Sequence, residues 1–214
     1  MKDIEIISLV LSGNIESYEK IMRRYNGYLY KVGKSYGFNH NDVEDLMQET
    51  YIDVFINLKN FENRASFKTW IVRIMLNNCF HKKQKYKQHG IPLSGEITEN
   101  SKSFLENQSE ETKDRVQNDE LKEILEAAIH RIPESYRLVF TLRELNGMSV
   151  RETSQALKIT EGNVKTRLSR SKSMLKEEIK KTYSPEEIFE FDLIYCDKLV
   201  AKGMKTLRTK DISS

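Results

Sequence analysis

Basic and neutral polar side chains follow one another between Thr160 and Lys172, and their types suit contact with duplex DNA. Lysine and arginine neutralise phosphates, while asparagine, serine and threonine add neutral hydrogen bonds. Val164 and Leu168 recur at helical spacing, which leaves the polar side chains for the outward face. We expect DNA contacts from Thr160, Glu161, Gly162, Asn163, Lys165, Thr166, Arg167, Ser169, Arg170 and Lys172. A solvated basic face on a core helix fits the same pattern, and charge and periodicity alone do not separate the two interpretations.

The distribution of charge along the chain supports more than one site for a polyanion. The net charge is only +3, yet residues 63–95 contain basic residues and no acid, and residues 165–181 carry seven basic residues against two acids. Residues 39–62 and 94–120 are acidic by contrast. Two basic surfaces therefore flank an acidic connector that has few large apolar residues, which is typical of a linker.

Two short helices joined by a tight turn are predicted to position the polar side chains of the second basic segment. Ser149 and Glu152 form a capping-box pattern for a helix that ends near Leu157, and Thr160 is a good N-cap for the next one. A pair of this kind is a helix-turn-helix, whose second helix suits the major groove. Gly162 lets the amino end of that helix approach the DNA backbone closely.

Helical periodicity dominates the rest of the chain, and no convincing strand is found. One amphipathic helix is expected over about Asp42 to Leu58, with Asn41 as its N-cap, and a second begins near Ser66. Trp70 falls in the apolar stripe of that second helix and is expected in the core. Further helices are predicted on either side of Pro133, the later one ended by Asn146 and Gly147.

Cysteine content and apolar run length exclude several classes of protein. Cys79 and Cys196 have no CxxC spacing, so neither a disulfide framework nor a zinc site is predicted, and a reducing intracellular compartment is the simpler interpretation. No apolar run approaches the length of a membrane span. The tail 184–214 carries an apolar stripe at helical spacing, in which Cys196 is either a buried apolar thiol or a redox sensor.

Two stretches of the chain resemble one family. The first reads VEDLMQETYIDVFINLKNFENRASFKTWIVRIMLNNCFHKKQK and the second AIHRIPESYRLVFTLRELNGMSVRETSQALKITEGNVKTRLSRSKSML. In this order, and joined by an acidic linker, they resemble the amino- and carboxy-terminal domains of the extracytoplasmic-function sigma factors of bacterial RNA polymerase. The sequence departs from the family pattern at Lys158, where glycine is usual, and at Ser154, where alanine is usual.

The resemblance implies that the helix carrying DLMQET docks on the clamp coiled coil of core RNA polymerase. The expected contact residues are Asp45, Leu46, Gln48, Glu49 and Ile52. An apolar isoleucine among carboxylates is unusual in a solvated face but suits a partner surface. The alternatives are a solvated acidic face, or a metal site formed by Asp45, Glu49 and Asp53.

The stretch NFENRASFKTW resembles the loop and helix with which the family captures an unpaired base of the minus-ten element. Aromatic and amide groups that stack on or pair with bases are here interleaved with cations for phosphates. The expected contacts with the melted nontemplate strand are Asn60, Phe61, Asn63, Arg64, Ser66, Lys68, Arg73, Asn77, Lys82 and Lys83.

The sequence therefore predicts an all-α protein of two small helical domains joined by a flexible acidic linker. Domain two of a sigma factor would cover residues 1–90, the linker 91–117, domain four with the helix-turn-helix 118–182, and an amphipathic helix 183–214. The expected function is promoter recognition and melting for core RNA polymerase, in the cytoplasm, without a cofactor and without covalent chemistry.

Two other classes compete with this prediction. A helix-turn-helix repressor or activator would bind duplex DNA without polymerase, and a metal-dependent nuclease would use the acidic helix. Dependence on core polymerase separates them. The sequence leaves open whether an anti-sigma protein is a further partner.

Overall fold

The computed structural model describes residues 1–93 and 124–182. Every regular element in these two ranges is helical, with no strand, so the predicted all-α class is confirmed. None of the helices in the described ranges has the length and apolar content needed to cross a membrane. Most of the predicted acidic linker 91–117 and the whole of the predicted tail helix 183–214 lie outside the described residues.

The first described range contains helices α1 (Asp3–Leu11), α2 (Tyr18–Ser35), α3 (His40–Ile56) and α4 (Phe67–Gln88). Helix α4 begins where the sequence predicted, because the Ser66 side chain accepts a hydrogen bond from the amide of Thr69. Helix α3 begins two residues earlier than predicted. Its N-cap is Asn39, whose side chain accepts from the amide of Asp42, so the assignment of Asn41 as the cap was wrong.

Helices α2, α3 and α4 pack on one another around a common apolar core. A small residue on α2 allows their close approach, because a Cβ added at Gly33 would lie 2.7 Å from Val43 Cγ1 and 3.1 Å from Met75 Cε. Leu29, Leu46 and Ile71 are among the fully buried side chains of this core. The exposed surfaces of α3 and α4 are thereby fixed relative to each other.

The second described range starts with helical residues 124–131, which we call α5. It continues with α6 (Glu134–Phe140), which extends as a π-helical turn through Leu145, and then with α7 (Val150–Leu157) and α8 (Glu161–Thr182). The predicted capping box of α7 is confirmed, since Ser149 and Glu152 exchange both hydrogen bonds. The Thr160 hydroxyl accepts from the amide of Asn163 at 3.2 Å, which confirms Thr160 as the cap of α8.

The turn between α7 and α8 contains the two departures from the family pattern. Lys158 adopts a left-handed conformation with φ of 53° and ψ of 44°, a region where side chains with a Cβ are strained. The Ser154 hydroxyl donates to the carbonyl of Ile159 at 2.6 Å. Alanine at position 154 could not make this hydrogen bond, so Ser154 helps to hold the turn. Glycine at position 158 would adopt the left-handed conformation more easily than Lys158 does.

We expect Lys158→Gly to stabilise the protein by about 1 kcal/mol, because glycine adopts positive φ without the steric penalty of a Cβ. The melting temperature should rise by roughly 2 to 4 °C for a unit of this size. The control is Lys176→Gly at an exposed position within α8, where the same change should destabilise by about 1 kcal/mol. A fall in melting temperature for both variants would contradict the strain assigned to Lys158.

Residues Met1–Glu178 form one compact unit, and Ile179–Ser214 form a second, of which only the end of α8 is described. Within the first unit, α7 packs on α4 and the segment 134–145 packs on α2. Leu138, Leu142, Met148 and Ala156 belong to the same buried cluster as the core of α2 to α4. The relative placement of the two predicted domains, which the sequence left open, is thus a packed one in this structure.

Candidate nucleic-acid interface

The amino-terminal half of α8 presents its polar residues outward around one buried anchor. Val164 is fully buried, and Arg167 is half-buried. The other predicted contact residues of this helix and its cap are exposed: Thr160, Glu161, Gly162, Asn163, Lys165, Thr166, Ser169, Arg170 and Lys172. The cap leaves the Asn163 side chain in the first turn, at the end of the helix from which a recognition helix usually reads bases.

Two of the α8 cations have acceptors in the same segment of the chain. Lys172 pairs with Glu144 at 3.1 Å, and the guanidinium of Arg170 lies 3.4 Å from the hydroxyl of Tyr136. The Lys172 side chain is 53% exposed, so its ion pair is screened by solvent and is readily exchanged for a phosphate. This surface can therefore bind a polyanion without rearrangement of its core.

The loop before α4 forms a cleft with the beginning of that helix. The cleft has a volume of about 390 Å³ and is lined by Asn60, Phe61, Arg64, Arg73 and, from α7, Gln155, among others. Its mixture of aromatic, amide and guanidinium groups suits an unstacked base and its phosphates.

Phe61 and Trp70 form the apolar wall of this cleft. Their ring centroids lie 5.1 Å apart, and Phe61 also contacts the buried ring of Phe67 at 5.2 Å. Both rings are half-buried, so Trp70 is partly in the core, as predicted, and also lines the cleft. Each ring can support a base at its edge while it stabilises the loop.

Asn63 lies in the same loop but faces a different cavity. Its φ is 55°, a left-handed conformation that asparagine tolerates better than most residues. It lines a neighbouring cavity of about 250 Å³ together with Leu58, Lys59 and residues of α1. The structure therefore does not bring Asn63 together with Asn60 and Arg64 in one pocket.

The predicted cations of α4 are held by acceptors within the chain. Lys82 pairs with Asp42 at 2.7 Å and Lys83 with Glu134 at 2.5 Å, while Lys68 donates to the carbonyl of Asn146 at 2.5 Å. Burial lowers the pKa of Lys68 below its usual value, although Glu152 partly counteracts this effect. Asn77 and Arg73 are exposed on the same helix.

The acidic face of α3 lies at the surface. Asp45, Gln48 and Glu49 are exposed, and Ile52 is 59% exposed. Leu46 is different, because it is fully buried in the core. Leu46 cannot contact a partner from this position. The expected contact of Leu46 with polymerase is therefore corrected: its side chain packs in the core beneath α3.

Two further apolar residues, for which no partner contact was predicted, extend this surface. Phe55 is 40% and Ile56 63% exposed. Together with Ile52 they follow the i, i+3, i+4 spacing of a second apolar stripe on α3, which was the available signal. Phe55 lies at the boundary between this stripe and the core, where its ring packs edge-on against Tyr18.

The described residues contain no group of three or more His, Cys, Asp or Glu that could hold a metal ion. Cys79 is fully buried, and burial strongly raises the pKa of its thiol. Its small apolar side chain therefore fills the core between helices.

In the described residues, α7 and α8 form a helix-turn-helix whose second helix exposes basic side chains, an arrangement typical of a class of DNA-binding proteins. Family models identify the class more closely: residues 21–88 match Sigma-70 region 2 and residues 122–175 match Sigma-70, region 4. The ECF RNA polymerase sigma factor SigX of Bacillus subtilis is 30% identical over 164 residues, 75% of this chain and 82% of that protein. The chain belongs to the ECF RNA polymerase sigma factors.

Two further comparisons agree with this family. The ECF RNA polymerase sigma-E factor of Haemophilus influenzae is 24% identical over 182 residues, 84% of this chain and 96% of that protein. The solved sigma factor RpoE, in complex with the anti-sigma factor NepR from Bartonella quintana, shares the fold with a TM-score of 0.60 at 19% identity, covering 77% of this chain and 98% of that one. As a member of this family the protein directs core RNA polymerase to promoters for transcription initiation, and sigma factors are not enzymes.

Proposed function

We propose that the two predicted DNA-contact surfaces of this sigma factor read different promoter elements. Residues 1–90 bind core polymerase through Asp45, Gln48, Glu49 and Ile52 and hold the melted minus-ten strand at the cleft before α4. Residues 118–182 read the duplex minus-thirty-five element with α8. The exposed first turn of α8, capped by Thr160 and anchored by Val164, is the single observation that carries this division.

Asn163→Ala should lose discrimination at one adenine of the minus-thirty-five element by about 1 to 3 kcal/mol, because an asparagine side chain can pair with adenine N6 and N7. Lys165→Ala should instead weaken all duplexes alike and flatten the salt dependence, since it removes a phosphate contact. Binding curves of holoenzyme on single-base promoter variants measure both effects. A uniform loss for Asn163→Ala would leave that residue only the role of a helix-start hydrogen bond.

Transcription by added core enzyme from a library of genomic fragments tests the function as a whole. A sigma factor produces core-dependent transcripts from a limited set of fragments. A helix-turn-helix regulator that acts alone would bind its duplex without core enzyme and would not restore initiation.

Location and regulation follow from the same proposal. A protein that works with polymerase and the chromosome belongs in the cytoplasm.

The structural relative RpoE is bound to an anti-sigma factor, and a protein partner of this kind is proposed for the present chain as well. Coprecipitation of a partner that is released when transcription from the selected promoter is induced would support it.

A further inference from the structure

A surface cavity lies between one face of α2 and residues 144–147, where the extension of α6 ends. Its volume is about 370 Å³, and α2 contributes Arg24, Gly27, Tyr28 and Lys31 to its lining. These four residues follow the i, i+3, i+4, i+7 spacing of one helical face. The volume is in the range of small-molecule sites and equals that of about twelve waters in the liquid, so a single inorganic phosphate would not fill it.

Gly27 is a glycine inside a helix whose presence the packing does not explain. A Cβ added at Gly27 would have no heavy atom of the described residues within 4 Å, apart from the adjacent helical backbone. Gly33 of the same helix is different, because a Cβ there would lie 2.7 Å from Val43 Cγ1. Glycine destabilises a helix interior relative to alanine. Its use at position 27 therefore keeps room in the cavity rather than room for a neighbouring helix.

Two ammonium groups beside the cavity are held by neutral carbonyl oxygens. Lys31 donates to the carbonyl of Leu145 at 3.1 Å, and Lys68 donates to the carbonyl of Asn146 at 2.5 Å. In the described ranges neither lysine belongs to an ion pair. Burial and, to a smaller extent, the charge of Lys31 lower the pKa of Lys68, while Glu152 acts in the opposite direction. An anion in the cavity would offset the repulsion between the two ammonium groups.

The other charges of the lining already have partners. Arg24 pairs with Asp3, and Glu144 pairs with Lys172 at 3.1 Å. The Arg24 side chain is 39% exposed, so its ion pair is screened by solvent and the guanidinium is available to a second anion. The lining therefore carries a positive excess at Lys31, which favours an anionic ligand.

The uncharged part of the lining suits a ring and a hydrogen-bond donor. Tyr28 and Leu145 are half-buried and add aromatic and apolar surface. The Asn146 amide nitrogen donates to the carbonyl of Tyr28 at 3.2 Å, whereas its Oδ1 is buried without a hydrogen-bond partner among the described residues. An N–H or O–H group of a ligand would satisfy this acceptor, which otherwise destabilises the fold. A nucleotide combines a phosphate, a flat ring and donors of this kind.

We propose that this cavity binds a nucleotide, with a phosphate at Lys31 and Arg24 and the base or ribose over Gly27, against Tyr28 and Asn146. The lining comes from α2 and from the second segment, residues 124–182. A bound nucleotide therefore stabilises the contact between them by mass action. The site shares no lining residue with the cleft before α4 and does not depend on the proposed promoter contacts.

Equilibrium dialysis of the full-length free chain against radiolabelled ATP, GTP, AMP and GMP tests the site. We expect at least one of the four to bind with a Kd below about 1 mM and to raise the melting temperature of the protein. Pyrophosphate and inorganic phosphate are the probes for anion binding alone. They should bind at least about tenfold more weakly, because they offer no ring to the uncharged wall.

Gly27→Leu separates the cavity from the fold. The leucine side chain fills the cavity, and leucine is a better helix former than glycine, so the variant should be at least as stable as the wild type. Its affinity for the nucleotide should fall at least about tenfold. Gly27→Ala is the size control, since one methyl group in open space should leave the affinity almost unchanged.

Lys31→Gln tests the phosphate contact. It removes the charge but keeps an amide donor for the Leu145 carbonyl, and it should weaken nucleotide binding about tenfold or more, as expected for the loss of a charge-assisted hydrogen bond. Lys20→Gln is the matched control, because it removes the same charge from an exposed position of α2 outside the cavity. This control should bind like the wild type.

Three results would overturn the proposal. The first is that none of the four nucleotides binds. The second is that pyrophosphate binds as tightly as the nucleotides, which would leave only an anion contact. The third is equal binding by Gly27→Leu and the wild type, or equal loss in Lys31→Gln and Lys20→Gln, which would place the nucleotide on the basic surface at large. Core-dependent transcription tests the proposed function separately and does not enter these outcomes.

Discussion

Leu46→Ala should lower the free energy of unfolding by about 2 to 5 kcal/mol, because the Leu46 side chain is fully buried and its truncation leaves a cavity in the core. A loss of about 3 kcal/mol would lower the melting temperature by roughly 6 to 12 °C in a protein of this size. Thermal or urea unfolding followed by circular dichroism measures the change. The result bears on the proposed polymerase contact of α3, since Leu46 packs beneath that helix in the core.

Ile52→Ala is the matched control within the same helix. Its side chain is 59% exposed, so its loss should change stability by less than about 1 kcal/mol while it weakens the binding of core polymerase. Similar destabilisation by both variants would mean that the two positions do not differ in burial, contrary to the structure.

Replacing Gln48 and Glu49 together by alanine should reduce the affinity for core RNA polymerase by about 30-fold or more, as expected when central interface contacts are truncated. The helix should stay folded, because alanine is a better helix former and both side chains are exposed. Titration of labelled sigma factor with core enzyme measures the affinity.

Glu19→Ala combined with Gln88→Ala removes the same types of side chain from exposed helical positions outside the docking face. This control should bind core enzyme like the wild type. Unchanged affinity of the Gln48 and Glu49 double variant would refute the docking assignment, whereas equal loss in both double variants would indicate a general effect of acidic charge.

The apolar stripe of α3, on the side of the helix opposite Gln48 and Glu49, shows what helical periodicity can and cannot predict. Val43, Leu46 and Val54 recur at the spacing of one helical face, and all three are fully buried in the core. That spacing did not show that Leu46 is shut off from the adjacent docking face, because membership of a helical face says nothing about which neighbouring helices cover it. Asn39 and Asn41 are both good caps by type, and the choice between them depended on which side chain reaches the amide of a first-turn residue.

The sequence by itself determined the helical class, the capping box of α7, the Thr160 cap and the outward basic face of α8. Each of these features depends on residues within a few positions of one another in the chain. Tertiary structure alone decided that Lys68 and Lys83 have partners in the second segment, and that Glu152 lies against Ser66. Those contacts join residues far apart in the chain. They depend on the packing of a shared core that includes Leu142 and Met148, and no short-range pattern encodes that packing.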